Sequence, residues 1–363
     1  MATDPCQPII DEIQTLNAEI DSIQAALDAP FPLLTKKQRI KAENLLAADK
    51  NKLALEENAL LVCRKQNFIQ EFVLPNANSG PFDITAGPDG NLWFTENSGN
   101  RIGKMSTDGI LIGEFTLPNA NSGPYIIAVG PDDNLWFTEN SGNRIGTMDV
   151  TGNLVNEFTL PNANSQPRFI AIGPDENLWF VEFNGNRIGQ MTPGGTLMNE
   201  FTLPNANSGP SGLVTGRACT IWFTETLGNR IGRLNRANAI TEFDLPNLGS
   251  KPTSITIGPD GNFWFTERTG SRIGTMDPSG NIVNESALPD GNSAPTGISV
   301  GSDGNLWFAE GGVNKIARIT VAGDLKEFVL PNANSGPLAT TAGPDGNVWF
   351  TEHDGNRIGR LHP

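Results

Sequence analysis

The stretch WFTENSGNRIG occupies residues 93–103 and returns without a single change at residues 136–146. Looser copies open at the Trp-Phe pairs that begin at residues 179, 222, 264, 307 and 349, so the Trp residues recur every 42 or 43 positions. A strand-rich repeat of about 40–45 residues is typical of a β-propeller, in which each repeat forms one four-stranded blade. The repetition therefore predicts an all-β, seven-bladed propeller.

One repeat unit contains four predicted strands separated by turn residues. These are FDITA (82–86), NLWFTE (91–96), RIGKM (101–105) and GEFTL (113–117), with Gly, Asp and Pro between them. The fourth-strand pattern comes first in the repeat region, and the chain ends on a third strand at residues 356–361. We therefore expect residues 68–74 to pair with the last three strands, which closes the ring and removes an exposed sheet edge.

The first 67 residues follow a helical pattern instead. The apolar residues of a first helix have heptad spacing: Ile9, Ile13, Leu16, Ile20, Ile23 and Leu27. Two prolines in DAPFPL (28–33) end this helix, and Thr35 with Gln38 predicts a capping box at the start of a second one. In that second helix, leucines recur every seven residues at Leu46, Leu53 and Leu60. We expect a helical hairpin over residues 1–67 and the propeller over residues 68–363.

The role of the hairpin stays open at this point. It is either a coiled-coil-like element for self-association or a cap on the propeller. Cys6 and Cys63 lie at its two open ends. They either form a disulfide or are free thiols in a reducing cytosol.

Charge and hydropathy exclude several partners. The net charge is −15, and residues 68–363 hold 17 Lys/Arg against 30 Asp/Glu. Such a surface repels phosphate backbones, so we expect no nucleic-acid partner. No apolar run approaches the roughly 18 residues of a membrane-spanning helix, and the N-terminus lacks the pattern of a signal peptide. These features predict no membrane association and a cytoplasmic location.

Features that recur in all seven repeats are expected to be structural. We expect the Trp residues to pack between neighbouring blades. A Glu and a cation five residues later predict a cross-strand ion pair in every blade: Glu96, Glu139, Glu182, Glu225, Glu267, Glu310 and Glu352, with Arg101, Arg144, Arg187, Arg230, Arg272, Lys315 and Arg357. The GPDG tetrads predict tight hairpin turns, and the Asn and Ser residues of the PNANSGP linkers are expected to satisfy loop backbone.

Units of the form S-x-P-x-x-I-x-x-GPDGNLWFTE-x-x-x-NRIGR-I, linked by EFxLP, resemble the virginiamycin B lyase (streptogramin B lyase) family over residues 68–363. The resemblance implies seven blades and a Mg²⁺-dependent elimination that opens a cyclic depsipeptide antibiotic. It also implies catalytic histidines directly after the Pro that leads into the innermost strand, helped by nearby Glu. In this chain those positions hold Phe82, Tyr125, Arg168, Ser211, Thr253, Thr296 and Leu338. The two histidines of the chain, His353 and His362, lie elsewhere.

Positions that break the sevenfold symmetry are the candidates for a site. On the face that holds the mouth of the central channel, they are Phe82, Tyr125, Arg168, Phe183, Arg268, His353 and Asp354. Arg168 suits a carboxylate or sulfate group, and Tyr125 and Phe82 suit a ring. The alternative is a rim that has diverged without binding anything. In the fourth of the seven repeats, GRACT (216–220) replaces the usual turn, and Cys219 is expected to be buried filler on the opposite face.

We therefore favour a non-catalytic binding propeller without a cofactor, which takes a small polar ligand, glycan or peptide at the channel mouth. The alternative is a Mg²⁺-dependent carbon–oxygen lyase that acts on a streptogramin B-type depsipeptide, with Asp83, Arg168 and His353 as a rebuilt acid/base set. The sequence names no metal ligands for it. A third possibility is an amplified repeat array that has no ligand.

Overall fold

The computed structural model describes residues 7–28, 35–67 and 69–363. Contacts divide the chain into a helical unit up to residue 68 and a second unit, Ile69–Leu361. The predicted bridge between Cys6 and Cys63 falls outside the described residues.

The helical unit is a hairpin of α1 (Gln7–Asp28) and α2 (Lys36–Asn67). From the predicted seam of α1, Leu16, Ile20 and Leu27 are buried. Lys52 Nζ of α2 lies 2.5 Å from Glu12 Oε1 of α1. Self-association through this hairpin stays a prediction.

The predicted capping box starts α2. The backbone N–H of Thr35 donates to Gln38 Oε1 at 2.8 Å, and the backbone N–H of Gln38 donates to Thr35 Oγ1 at 3.4 Å. This exchange satisfies two amide donors that the first helical turn leaves without partners.

Neither helix in the described part of the chain combines the length and the apolar character that a membrane-spanning segment needs.

The second unit is a propeller of seven four-stranded antiparallel sheets. In chain order the strands are β1 (Ile69–Val73); β2 to β5 (Pro81–Ala86, Leu92–Glu96, Arg101–Met105, Leu111–Thr116); β6 to β9 (Pro124–Val129, Leu135–Glu139, Arg144–Met148, Leu154–Thr159); β10 to β13 (Pro167–Ile172, Leu178–Glu182, Arg187–Met191, Leu197–Thr202); β14 to β17 (Pro210–Gly216, Thr220–Glu225, Arg230–Leu234, Ile240–Asp244); β18 to β21 (Pro252–Ile257, Phe263–Glu267, Arg272–Met276, Ile282–Ala287); β22 to β25 (Pro295–Val300, Leu306–Glu310, Lys315–Ile319, Leu325–Val329); and β26 to β28 (Pro337–Ala342, Val348–Glu352, Arg357–Leu361). Blades 1 to 6 are β2–β5 through β22–β25, and blade 7 is β26–β28 with β1.

The ring closes as predicted, because β1 is the outer strand of blade 7. Its residues pair antiparallel with β28, from Ile69 opposite Leu361 to Val73 opposite Arg357. The Phe72 ring stacks on Trp349 at 5.6 Å between centroids. The outer strand of blade 1 begins at Leu111, two residues before the predicted start, because a register shift lets Leu111 pair with Met105.

Each blade buries its Trp against the next blade. Trp93 is fully buried and packs with Ile127, Leu135 and Phe137 of blade 2. Trp349 of blade 7 packs in the same way with Ile84 and Phe94 of blade 1, across the junction of the two ends of the ring. The prediction of Trp residues between blades is confirmed.

The indole N–H of the same Trp forms a hydrogen bond that stabilises the turn between the first two strands of a blade. Trp93 Nε1 donates to Asp89 Oδ1 at 3.1 Å, and Gly90 takes a φ of +76° that a side chain disfavours. The GPDG tetrads are therefore hairpin turns tied to the interblade core.

The predicted ion pairs form in six blades and not in blade 6. Glu96 lies directly opposite Arg101, and Arg101 Nη2 is 2.7 Å from Glu96 Oε2. In blade 6, Lys315 Nζ instead contacts Asp290 at 2.6 Å and Glu327 at 2.9 Å. The prediction was wrong there because the linker carries Asp290 where other linkers carry Asn, and its carboxylate attracts the flexible ammonium group.

A second glutamate on the outer strand lies beside each of these pairs. In blade 1 this is Glu114, which accepts a hydrogen bond from the linker residue Asn76. Two carboxylates around one cation oppose the ionisation of both. Burial first, and then the neighbouring glutamate, raises one carboxyl pKa in every blade: to about 7 for Glu96, Glu157, Glu225, Glu267, Glu310 and Glu352, and upward for Glu182.

Replacement of Phe72 tests the closure. Phe72→Ala removes the ring that stacks on Trp349, so we expect it to lower the free energy of unfolding by about 2–4 kcal/mol in denaturant titrations. Val73, one residue on, is 71% exposed, and Val73→Ala should cost no more than about 0.5 kcal/mol. Equal losses in the two variants would contradict closure through β1.

The glutamate pairs predict a pH-dependent stability. Their folded-state pKa lies above the unfolded value, so their contribution is fully present below about pH 4.5 and is lost as the pH rises through about 7. We expect the melting temperature at pH 6 to exceed that at pH 8.5 by about 4 °C or more. Glu114→Gln removes one carboxylate of a pair and should reduce this difference. A melting temperature that is flat or rises over this range would refute the account.

Candidate functional site

The first strands of the seven blades surround a central cavity of about 720 Å³. The residue after the first Pro of every blade lines it: Phe82, Tyr125, Arg168, Ser211, Thr253, Thr296 and Leu338. We call this space the channel-mouth cavity. Its volume lies within the range of about 300–1,000 Å³ that is usual for small-molecule sites.

The position after the second strand forms the rim. In blades 1, 2 and 4 its side chain donates to a Pro carbonyl of the next blade, as Asn97 does to Pro124 at 3.1 Å. In blades 3, 5 and 7 the position holds Phe183, Arg268 and His353. Arg268 and His353 line the cavity, and Phe183 borders it through Arg168. These blades therefore place a larger or charged side chain where blades 1, 2 and 4 make a structural hydrogen bond, and blade 6 has Gly311 at this position.

One side of the cavity is cationic and aromatic. Arg168 Cζ lies 3.5 Å from the ring centroid of Phe183 and 5.6 Å from that of Tyr125. Arg168 Nε is buried and donates no hydrogen bond within the described residues. Burial lowers the pKa of Arg168, the Tyr125 phenol raises it, and the nearby Arg268 lowers it again. Two guanidinium groups thus reach one region of the cavity.

A row of aromatic rings runs from the two arginines across the cavity to His353. The Phe82 and Tyr125 ring centroids are 3.8 Å apart, and the ring of His353 meets Phe82 edge-on at 6.2 Å. His353 Nδ1 lies 2.7 Å from Asp354 Oδ1. Burial raises the pKa of the Tyr125 phenol, against the opposing effect of Arg168 and Arg268.

Asp83 supplies the acidic side. Its Oδ2 accepts a hydrogen bond from the backbone N–H of Ile127 at 3.0 Å, so it also joins blade 1 to blade 2. Burial raises the pKa of Asp83 to about 7, even though the N–H groups of Ile127 and Ile84 act in the opposite direction. The cavity is therefore dipolar, with arginines from blades 3 and 5 and carboxylates from blades 1 and 7.

The structure brings together the residues singled out in the sequence and adds others. Phe82, Tyr125, Arg168, Arg268, His353 and Asp354 all line one cavity, with Asp83 in its wall. Ser254 and Phe169 also line it, although the sequence analysis did not select them. Both stand two residues after the first Pro of their blades, the position that Asp83 holds in blade 1. That shared position was a signal that could have identified them.

Cys219 differs from its prediction as buried filler. It lies on the turn between β14 and β15, is half-buried and takes a φ of +55°. Its Sγ accepts a hydrogen bond from Arg236 Nη2 at 2.7 Å. The usual turn has Gly at this position, and Cys219 takes the same positive-φ conformation that Gly adopts there.

The resemblance implies a Mg²⁺ ion for a lyase, and the carboxylates that the cavity wall offers to such an ion are Asp83 and Asp354. Within the described residues, no three His, Cys, Asp or Glu side chains come together in a group that could hold a metal ion. One oxygen of Asp83 is bonded to Ile127 and one of Asp354 to His353.

Comparison with known proteins gives one consistent family. The model described as Virginiamycin B lyase family matches residues 56–204 and 197–363. A virginiamycin B lyase from Bacillus licheniformis is 46% identical over 39 residues, a stretch that spans 11% of this chain and 13% of that protein.

Solved structures of similar proteins extend this match to the whole propeller. A streptogramin B lyase is 36% identical with a TM-score of 0.76, over 81% of this chain and 97% of that one. Virginiamycin B lyase from Staphylococcus aureus is 37% identical with a TM-score of 0.77, over 82% and 100%. A catalytically inactive histidine-to-alanine variant of the Staphylococcus aureus protein, with quinupristin, gives the same values.

Because Asp83 is buried, its replacement by Asn should change how the unfolding free energy depends on pH. Its folded-state pKa of about 7 exceeds the unfolded value of about 4, so its stabilising protonation is complete at low pH and lost as the pH rises through 7. Asp83→Asn keeps the shape and cannot ionise. Between pH 6 and pH 8.5, we expect the unfolding free energy of the variant to fall by about 1 kcal/mol less than that of the parent. The control Asp108→Asn, on an exposed turn, should follow the parent, and identical pH profiles for Asp83→Asn and the parent would disprove the assignment.

Proposed function

The chain belongs to the virginiamycin B lyase family, and we propose that within this family it is a non-catalytic binding member that holds a small polar ligand in the channel-mouth cavity. The ligand carries a carboxylate or sulfate group and a ring, as an acidic sugar or an aromatic acid does. The observation that carries this proposal is Arg168, a guanidinium group between aromatic rings whose buried Nε has no acceptor within the described residues.

The charges around Arg168 favour an anion at this point. A planar guanidinium binds carboxylate and sulfate through paired hydrogen bonds, and a partly dry cavity strengthens them. Arg268 adds a second positive charge from blade 5, whereas Asp83 and Asp354 lie in blades 1 and 7. The anionic group therefore has a preferred end, and the hydroxyl or amine groups of the same ligand suit the acidic end.

Residues at the family's catalytic positions support binding over catalysis. The side chain after the first Pro of each blade is Phe, Tyr, Arg, Ser, Thr, Thr or Leu, none of which is a general base at neutral pH. The position that the family resemblance assigns to histidine thus supplies packing and charge in this chain.

Matched pairs of small molecules test the binding function. We expect benzoate and D-glucuronate to bind in isothermal titrations, and benzyl alcohol and D-glucose to bind far more weakly. Arg168→Ala should weaken the charged ligands by about 10- to 100-fold, the loss expected for hydrogen bonds to a charged group. Lys326→Ala removes a positive charge from the outer strand β25 and should leave affinity unchanged.

Two results would contradict the binding proposal. One is equal affinity for the charged and neutral members of each pair. The other is unchanged affinity in Arg168→Ala while the variant keeps the parent melting temperature.

The second candidate is the lyase activity on a streptogramin B-type depsipeptide. It is favoured by the match to virginiamycin B lyase with quinupristin and by the Asp83 carboxyl, whose pKa near 7 suits a general base. Incubation with quinupristin and Mg²⁺ distinguishes the candidates, because elimination changes the retention of the antibiotic without changing its mass. We expect no conversion. Conversion that is lost in Asp83→Asn or His353→Ala would establish the lyase instead.

A further inference from the structure

On the face opposite the channel mouth, the turn between the first two strands of blade 4 differs from the equivalent turns of the other six blades. In the other six blades, the turn between the first two strands carries an Asp that accepts a hydrogen bond from the Trp indole: Asp89, Asp132, Asp175, Asp260, Asp303 and Asp345. In blade 4 the residues after Gly216 read Arg-Ala-Cys-Thr, where blade 1 has Pro-Asp-Gly-Asn. The acidic residue is absent from this turn.

That Asp has a second role wherever the third strand carries a cation opposite the Trp. Lys104 faces Trp93 in the strand register, and its Nζ lies 2.7 Å from Asp89. Arg318 and Arg360 occupy the same position in blades 6 and 7, and each lies 3.7 Å from its turn Asp. The turn carboxylate is therefore the counterion of this cation.

Blade 4 keeps the cation and lacks the counterion. Arg233 faces Trp222 in the same register and lies 5.4 Å from its ring centroid. Thr220 Oγ1 accepts the Trp222 indole hydrogen bond at 3.1 Å, so the turn replaces the hydrogen bond of the missing Asp but not its charge. Arg233 Nε is buried and without a hydrogen-bond acceptor within the described residues.

Arg217 adds a second positive charge at the same place. Arg217 and Arg233 line one pocket of about 260 Å³, together with Thr220 and, from blade 5, Phe263 and Pro278. No Asp or Glu belongs to this lining, and neither arginine forms an ion pair within the described part of the chain. A pair of guanidinium groups without a carboxylate is unusual on a propeller whose acidic residues outnumber its basic ones.

We propose that this blade 4 pocket binds a small oxyanion, with Arg233 and Arg217 as its ligands. The bound group replaces the turn carboxylate of the other blades and is held by charge-assisted hydrogen bonds from the guanidinium groups. Phosphate, sulfate and carboxylate groups share this chemistry. The site is separate from the channel-mouth cavity, and it does not depend on the function proposed for that cavity.

Calorimetric titration of the full chain with inorganic phosphate, sulfate and acetate at low ionic strength tests the proposal. We expect phosphate or sulfate to bind, and Arg233→Gln and Arg217→Gln each to weaken that binding at least about 10-fold. Acetate binding of equal strength would identify a carboxylate site. Arg318→Gln, at the equivalent position of blade 6, should leave the affinity unchanged. The titrations are made in an Arg168→Ala background, which removes the contribution of anions bound in the channel-mouth cavity.

A turn graft provides an independent test if Arg233→Gln folds poorly. Arg217→Pro, Ala218→Asp, Cys219→Gly and Thr220→Asn together give blade 4 the turn of blade 1, with an Asp to neutralise Arg233. We expect the graft, in the same Arg168→Ala background, to keep or raise the melting temperature and to abolish oxyanion binding. The proposal is overturned if the parent chain binds none of the three anions, or if the graft or a folded Arg233→Gln binds them as the parent does.

Discussion

Each blade of this propeller buries its Trp against the next blade. Trp93 depends on blade 2, and Trp349 of the last blade depends on blade 1. A ring of such units must therefore close, because an open end would expose a large aromatic surface and a sheet edge. The pairing of β1 with β28 meets this requirement by uniting the two ends of the repeat region in one sheet. The position of the central cavity follows, since closure brings the seven first strands around one axis.

The same constraint separates positions that repeat from blade to blade from positions that vary. The buried Trp recurs in all seven blades, and the turn Asp and the Glu-Arg ion pair each recur in six, because the blades meet the same neighbours. Side chains at the channel mouth and around the blade 4 turn are not held by that repetition, and they differ between blades. Arg168 and Arg233 illustrate the result on opposite faces: each is a guanidinium beside aromatic rings with a buried Nε that has no acceptor within the described residues.

Much of the fold could be predicted from the sequence, because its determinants are local and repeated. The blade count follows from the Trp spacing, and the capping box of α2 follows from Thr35 and Gln38. The site could be predicted only in part. The position after the first Pro predicted seven lining residues, whereas Ser254 and Phe169 lie one residue further along, at a position for which Asp83 was the one signal in the sequence. The contacts of Lys315 depend on Asp290, which is far from it in sequence and was not considered.

A crystal structure of the protein with D-glucuronate would test the central claim most directly, namely that symmetry-breaking residues at the channel mouth form a binding site. The account predicts the carboxylate of the sugar on the Arg168 guanidinium, with the ring against Phe82 and Tyr125. Density for the sugar at a symmetric position, such as a linker repeated in several blades, would contradict it. So would a cavity that contains only solvent at saturating ligand.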